Sequence, residues 1–479
     1  MSNEHKPGDS SNNDFGTPPE QASIQALGPD PSVSDAPVVT DVAAGPNETA
    51  TVQTPAGAAA MSQTRPQERS TATRIFHGIL DSSAITILFA VVMALIISAV
   101  LIAAAKLEVR EAASYIFARP GDFFGRAWDA IFSAYSALFR GGIFDYQAEG
   151  VRRVRPFTES LVAMTPLVFA GLGLGVAFRS GMFNIGAQGQ VLVGAVAGTL
   201  VGFTFDLPAA LHLPLACLAA VLIGGLWAGI AGILKATTGA NEVIVTIMLN
   251  SIATYLVSYL LTTRLLRQGG TRPISPAVAE SATFPLILPA PFRLHAGFLL
   301  ALVAAAFIWW LMERSRLGFQ FRAVGANQFA AKTAGIRVTS MYVMVMLVAG
   351  GLAGLGGASQ VLAVDKTVQA SSAGSIGFDA ITVALLGRSK PLGIIGAAFL
   401  FGVLRAGSPL MQTSAGTPID IVQVIQASIV LLIAAPVLVR ELSIFHRIAS
   451  LTPWYSVKGA TACPPRRLSC PQLRARREA

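Results

Sequence analysis

Long apolar runs broken by short polar turns recur from about residue 84 to about residue 440. Residues 82–105 carry no charged side chain. A helix needs about 20 apolar residues, rising 1.5 Å each, to cross roughly 30 Å of hydrocarbon. The pattern predicts crossings near 84–105, 157–178, 187–206, 212–234, 241–263, 296–312, 339–363, 377–388, 391–408 and 420–439, the eighth of them short. The short alternating strands of an outer-membrane barrel are missing from the sequence. The fold class is therefore an all-α polytopic membrane protein with about ten transmembrane helices. Between the first two crossings, "FFGRAWDAIFSAYSALF" repeats aromatic and aliphatic residues at helical spacing, which predicts an amphipathic helix on the outer membrane face.

Polar residues inside this apolar region are few and patterned. "SGMFNIGAQGQ" (180–190) places Asn184, Gln188 and Gln190 among three glycines between two membrane-length segments. Irregular backbone at membrane depth is tolerated only where it is buried in protein or lines a wet cavity. The stretch is a cytoplasmic turn or a broken helix beside a pathway, and its amides line a polar route or glue helices together. In "ANEVIVTIMLNSIATYLVSYLLTT", Glu242, Thr246, Asn250, Thr254 and Ser258 recur every four residues and draw one polar stripe down a helix. That stripe faces a solute or makes interhelical hydrogen bonds, and the two roles can coexist. "DIVQVIQAS" repeats the idea with Asp420, Gln423 and Gln426. Asp379 sits in a short segment bounded by Gly and Pro, and short interrupted segments point to central transport sites. The loop 313–338 contains "NQFAAKTAGI", with small residues and Phe329 on one helical side and Gly335 as a stop, which predicts a short cytoplasmic helix.

Composition and charge sharpen this picture. Of 479 residues, 53% are hydrophobic and 13% charged, with mean hydropathy +0.59. Soluble domains carry about 25% charged residues. Residues 1–80 are rich in Pro, Ser, Asp and Ala, which predicts a disordered cytoplasmic tail. No apolar stretch lies near Met1, so no cleavable leader is expected. Residues 441–479 form a basic C-terminal tail expected in the cytoplasm. Arg65, Arg69 and Arg74 flank the first crossing and set its start inside. Alternation then places Arg179, Lys235, the loop 313–338 and the Arg388–Lys390 turn inside too. The net charge of +9 thus reports orientation rather than nucleic-acid binding. Cys217, Cys463 and Cys470 have neither the spacing nor the His neighbours of a zinc site, and are read as unpaired thiols. The sequence has no Gly-Lys dipeptide and no HExxH, so no catalytic residue, metal or cofactor is assigned to this chain.

Five motifs occur in order: "AFRSGMFNIGAQGQ", "GANEVIVTIMLN", "RLHAGFL", "RLGFQFRAVGANQFAAKTAGI" and "ALLGRSKPLGIIGAAFLFGVLRAG". Together they resemble the permease subunits of bacterial ABC importers for nucleosides and simple sugars, over roughly residues 80–440. The resemblance implies a ten-helix importer permease fold, similar to the ribose and vitamin B12 permeases. It implies a bacterial plasma (inner) membrane setting and a permease domain of residues 81–440. The partners implied are ABC ATPase subunits that consume the ATP, an extracytoplasmic binding protein, and a second permease chain, a sibling by preference with a second copy of this chain as the alternative. Within "AVGANQFAAKTAGI", Gly325, Ala330, Ala331 and Gly335 match the coupling helix that docks on the ATPase. The acidic residue that often opens such loops is absent, with Asn327 and Gln328 near its place. The expected solute is a nucleoside, with ribose-like sugars as the alternative and an ATP-independent carrier behind both. Its expected contacts are Asn184, Gln188, Gln190, Glu242, Thr246, Asn250 and Asp379.

Overall fold

A computed structural model describes residues 83–266 and 273–434. The two expected tails, with Cys463 and Cys470, lie outside them. Each predicted crossing carries a helix: α1 (Ser83–Ala105), α4 (Arg155–Arg179), α5 (Ala187–Thr204), α6 (Ala209–Thr238), α7 (Glu242–Leu260), α8 (Gly297–Arg314), α11 (Val338–Gln360), α12 (Ile376–Leu386), α13 (Pro391–Ala415) and α14 (Asp420–Ala434). Between them lie α2 (Leu107–Ala113), α3 (Pro120–Gly142), α9 (Arg316–Ala326) and α10 (Gln328–Thr333).

Among the described residues, seven helices are long and apolar enough to cross a membrane, or eight if the bent pair α1–α2 counts as one. The expected count of about ten is not reached by length alone. The reason is local: α12 has 11 residues, rising about 16 Å, roughly half the hydrocarbon thickness. It follows a π-helical turn at Val361–Asp365 and an irregular stretch, so the chain reaches it without a helical lead-in. The described part of α14 is also short.

The bundle is organised around α11. Its run "GGLAGLGG" removes side chains where three neighbours pass: Gly350 and Gly354 against α6, Gly357 against Val191 of α5, and Gly356 against Pro166 of α4. A Cβ at Gly357 would collide with the Val191 carbonyl oxygen, and one at Gly356 would stand 2.9 Å from the Pro166 oxygen. Lipid tails are as apolar as Leu, so helix association here depends on such close backbone approach.

Helix α3 is amphipathic, as its pattern predicts. Ala130, Ala134, Ala137 and Leu138 are buried, while Phe124, Trp128 and Phe132 are exposed. Its C-terminal glycines press on α13, where a Cβ at Gly142 would stand 2.6 Å from the Val403 oxygen. At the bundle end carrying Arg155, segments 273–296 and 361–375 are tied by Ser275, which donates its amide to Val368 O (3.0 Å) and accepts from Val368 N (2.8 Å). His212 anchors the same end through Ser281 (2.7 Å) and Val201 O (3.0 Å).

Gly357→Leu should force α5 and α11 apart. Overpacking costs about 1–3 kcal/mol, and more where backbone must move. We expect a lower melting temperature and poor monodispersity of the purified protein in detergent, with Leu355→Ile at the same helix nearly neutral.

Candidate functional site

The break between α4 and α5 is built as a braced, non-helical segment. Gly181 turns the chain with φ +71°, and a Cβ there would meet Gly325 Cα at 3.0 Å. Residues 182–186 then run without helical bonding before α5 starts at Ala187. Met182, Asn184 and Gly186 are buried, so their backbone amides cannot rely on water.

Met182 N is met by Ala177 O and Gly186 N by Asn184 Oδ1, and the polar stripe on α7 meets the amides of Phe183, Ile185 and Gly189. Glu242 Oε1 accepts from Phe183 N at 3.4 Å, and Thr246 Oγ1 accepts from Ile185 N at 3.3 Å. Asn250 Oδ1 accepts from Gly189 N at 2.8 Å, and its Nδ2 donates to Ile185 O at 2.9 Å. The spacing of four on α7 thus matches successive steps of the incoming chain. Asn184 and Gln190 close the group. Their amides pair reciprocally at 3.1 Å in both directions, and Asn184 Oδ1 also accepts from Gly186 N at 2.9 Å. Thr254 and Ser258, lower on the stripe, donate only to carbonyls of their own helix. The structure therefore places Asn184, Gln190, Glu242, Thr246 and Asn250 in one contiguous hydrogen-bonded group.

Gln188 reaches a second element. Its Oε1 accepts from Gly377 N at 2.8 Å and its Nε2 donates to Gly374 O at 2.6 Å, so it holds the start of α12. A Cβ at Gly377 would collide with the backbone of Gln188. One turn further, Asp379 accepts from Ser375 Oγ at 2.7 Å. Asp379 borders a cavity of about 440 Å³ between α12 and α14, together with Ser375, Phe378, Thr382, Gln423 and Gln426. The group around Asn184 and the cavity at Asp379 are distinct places, joined through Gln188.

At the Arg179 end of the bundle, segment 313–338 forms α9 and α10. Asn327 caps α10 by accepting from Phe329 N (2.9 Å) and Ala330 N (3.1 Å). Gly335 ends this turn with φ +83° and open space around it. Ala331 is buried, Phe329 is 73% exposed and Ala330 is exposed. Gly325 is required where α9 crosses the end of α4: a Cβ would stand 2.5 Å from Arg179 O. Glu313 straps the two together through Arg179 (2.6 Å) and Arg322 (2.9 Å). Gln328 on α10 accepts from Tyr342 Oη at 2.5 Å, and Lys235 Nζ lies 5.2 Å from the Tyr342 ring. Lys235 also pairs with Glu242 at 2.5 Å. A polar line therefore runs from α10 to the braced segment.

Several functional-looking residues escape the sequence reading. Tyr342 carries no local signal. Arg405 does: it is an ionisable residue inside the apolar run of α13, the kind that marks a wet or paired position. It lines a cavity of about 710 Å³ at the Arg155 end with Arg152, Arg155, Glu159 and Arg293. Among the described residues no group of three or more His, Cys, Asp or Glu side chains could hold a metal.

A glycine-packed bundle of apolar helices, a braced helix break and a clamped pair of end helices define a membrane permease. Residues 157–435 match the family described as the branched-chain amino acid transport system / permease component, and the chain belongs to that family. It is 39% identical over 315 residues to the guanosine ABC transporter permease NupP of Bacillus subtilis, covering 65% of this chain and 88% of the relative. It is 34% identical over 308 residues to the nucleoside ABC transporter permease NupB of Lactococcus lactis, covering 62% and 84%. It is 39% identical over 285 residues to the glucose ABC transporter permease TsgB13 of Haloferax volcanii, covering 57% and 74%. No solved structure matches the chain. The chain is thus a multi-pass inner-membrane permease subunit of an ABC importer. It is not itself an enzyme, and separate ATPase subunits and a substrate-binding protein complete the system.

Asn250→Leu removes a donor and an acceptor that serve Gly189 N and Ile185 O. Each buried group left without a partner costs about 1–3 kcal/mol. We expect a clear fall in melting temperature of the purified permease, whereas Ser258→Ala, which loses only a bond within its own helix, should stay close to the parent.

Proposed function

We propose that this chain carries nucleosides inward as one half of a two-permease pore, paired with a sibling chain. The observation that carries the reading is the pair of relatives named for guanosine and nucleosides, each aligned over more than four fifths of its own length. The cavity beside Asp379 agrees with it, since a mostly apolar lining with a few placed amides, hydroxyls and a carboxylate suits a neutral, partly flat solute. In this reading Gln188 and Asp379 border the route, and Asn184, Gln190, Glu242, Thr246 and Asn250 hold the broken helix beside it. The chain binds no cofactor, and ATP is consumed by the partner subunits.

The Arg179 end faces the cytoplasm, and α10 docks on the ATPase through exposed Phe329 and Ala330, with Ala331 and Gly335 shaping the turn. Two packings of the bundle then alternate access to the route. The second reading is a simple sugar, favoured by the 39% identity to the glucose permease.

Uptake of labelled guanosine, uridine and glucose by the complete importer decides between them. Nucleoside uptake that cold glucose does not compete supports the reading. Glucose uptake with both nucleosides refused gives the chain to the sugar alternative.

Phe329→Ala tests the docking role. The side chain is 73% exposed, so stability should change by less than about 0.5 kcal/mol. Copurification of the ATPase and transport should fall together while the permease still inserts. Unchanged copurification and transport would place the docking surface elsewhere.

A further inference from the structure

The face of α12 that carries Ser375, Phe378, Asp379 and Thr382 repeats at i, i+3, i+4 and i+7. The opposite face, with Ile376, Ala380, Val383 and Ala384, is buried in the bundle. Helix α14 turns Gln423, Gln426, Ala427, Val430 and Leu431 toward the same cavity. Two otherwise apolar helices thus direct polar side chains at one space of about 440 Å³, within the range of about 300–1,000 Å³ typical of small-molecule sites.

These polar groups are mostly unspent. Among the described residues, Asp379 accepts a side-chain hydrogen bond only from Ser375 Oγ, on Oδ2, which leaves Oδ1 open. Neither Gln423 nor Gln426 has a side-chain hydrogen bond among the described residues, although Gln426 is only 9% exposed. Contrast the amides at Asn184 and Gln190, whose oxygens and NH2 groups each have a partner within the chain. A carboxylate and two amides on apolar helices cannot face lipid at acceptable cost. They call for a polar partner, and a solute is one that such a cavity can take.

The lining is also segregated. Carboxylate and hydroxyls lie on α12, amides lie on α14, and the Phe378 ring, 52% exposed, faces the apolar wall of Val430 and Leu431. A pyranose is hydroxylated around its ring and would leave hydroxyls against that wall without partners. A nucleoside has two unlike ends that fit: a vicinal diol and a flat ring with a donor and acceptor edge. We infer that this cavity is the nucleoside subsite of the permease. Asp379 accepts from the 2′ and 3′ hydroxyls of the ribose. The base lies along Phe378, with Gln423 and Gln426 at its polar edge. This inference rests on the nucleoside reading above.

The test is uptake of labelled guanosine and of 2′,3′-dideoxyguanosine by the complete importer, with rates normalised to assembled complex. The binding protein's own selectivity is common to parent and variant, so the change in the ratio of the two rates belongs to the permease. Asp379→Asn should slow guanosine about tenfold or more, the loss expected for a charge-assisted hydrogen bond, while the dideoxynucleoside keeps its rate. Gln426→Leu should slow both nucleosides by a similar factor. Thr382→Val, a shape-conserving change on the same face, should shift the ratio in the same direction by less, and it serves if the Asp379 variant fails to assemble. An unchanged ratio in both α12 variants overturns the subsite and leaves nucleoside import standing. Refusal of every nucleoside by the parent overturns the import reading and the subsite with it.

Discussion

Peptide groups that leave a helix inside a packed bundle have little water to fall back on, and this protein depends on how it meets that constraint. The chain breaks between α4 and α5, and the freed N–H groups of Phe183, Ile185, Gly186 and Gly189 each find a side-chain oxygen. Three of those oxygens come from α7, so the break and the α7 stripe form one unit. An unmet backbone group in such surroundings costs several kcal/mol, comparable to a large share of a protein's net stability. The upper half of the stripe braces the break, whereas Thr254 and Ser258 continue the spacing with bonds only to their own helix.

Glu242 belongs to two systems at once. Through Oε1 it steadies Phe183, and through Oε2 it holds Lys235, whose ammonium lies beside the Tyr342 ring. Tyr342 in turn donates to Gln328 of α10. Contacts in a line transmit a displacement only where a member has two arrangements. Lys235 joins the two ends of this line by meeting the Glu242 carboxylate and the Tyr342 ring at once. Helix α9, tied to Arg179 through Arg322 and Glu313 and packed on the α4 end at Gly325, couples α10 to its neighbours.

Most of the helices were legible from hydropathy, because a membrane crossing needs a long run and leaves a long signal. What hydropathy could not show is that the crossing near 377–388 is only an 11-residue helix, entered from a π turn at Val361–Asp365 and a polar, irregular stretch. The site was legible only as a set of unusual residues. Periodicity shows that Thr246 and Asn250 share a face. It cannot show that their partners are Ile185 and Gly189, some sixty positions earlier (separations 61 to 65). The pairing of Gln188 with Gly377, 189 positions away, is equally invisible. Tyr342 reads as an ordinary aromatic until the fold brings Gln328 and Lys235 to it.

The structure divides the polar residues of this apolar chain by whether their hydrogen-bonding capacity is already used. Asn184, Gln190, Thr246 and Asn250 are held by bonds within the chain, so a solute that took over those bonds would be exchanging rather than adding contacts. Exchange of that kind gains little binding and loosens the fold at the same moment. Residues with open capacity in a cavity, as at Asp379 and Gln426, gain a partner without surrendering one. A transporter must release its solute as readily as it takes it up, which favours few contacts made by groups that are otherwise wet. The paired amides supply rigidity beside the route, and the open ones supply contact within it. Gln188 stands at the boundary, bonded to the start of α12 and so to the helix that carries the open groups.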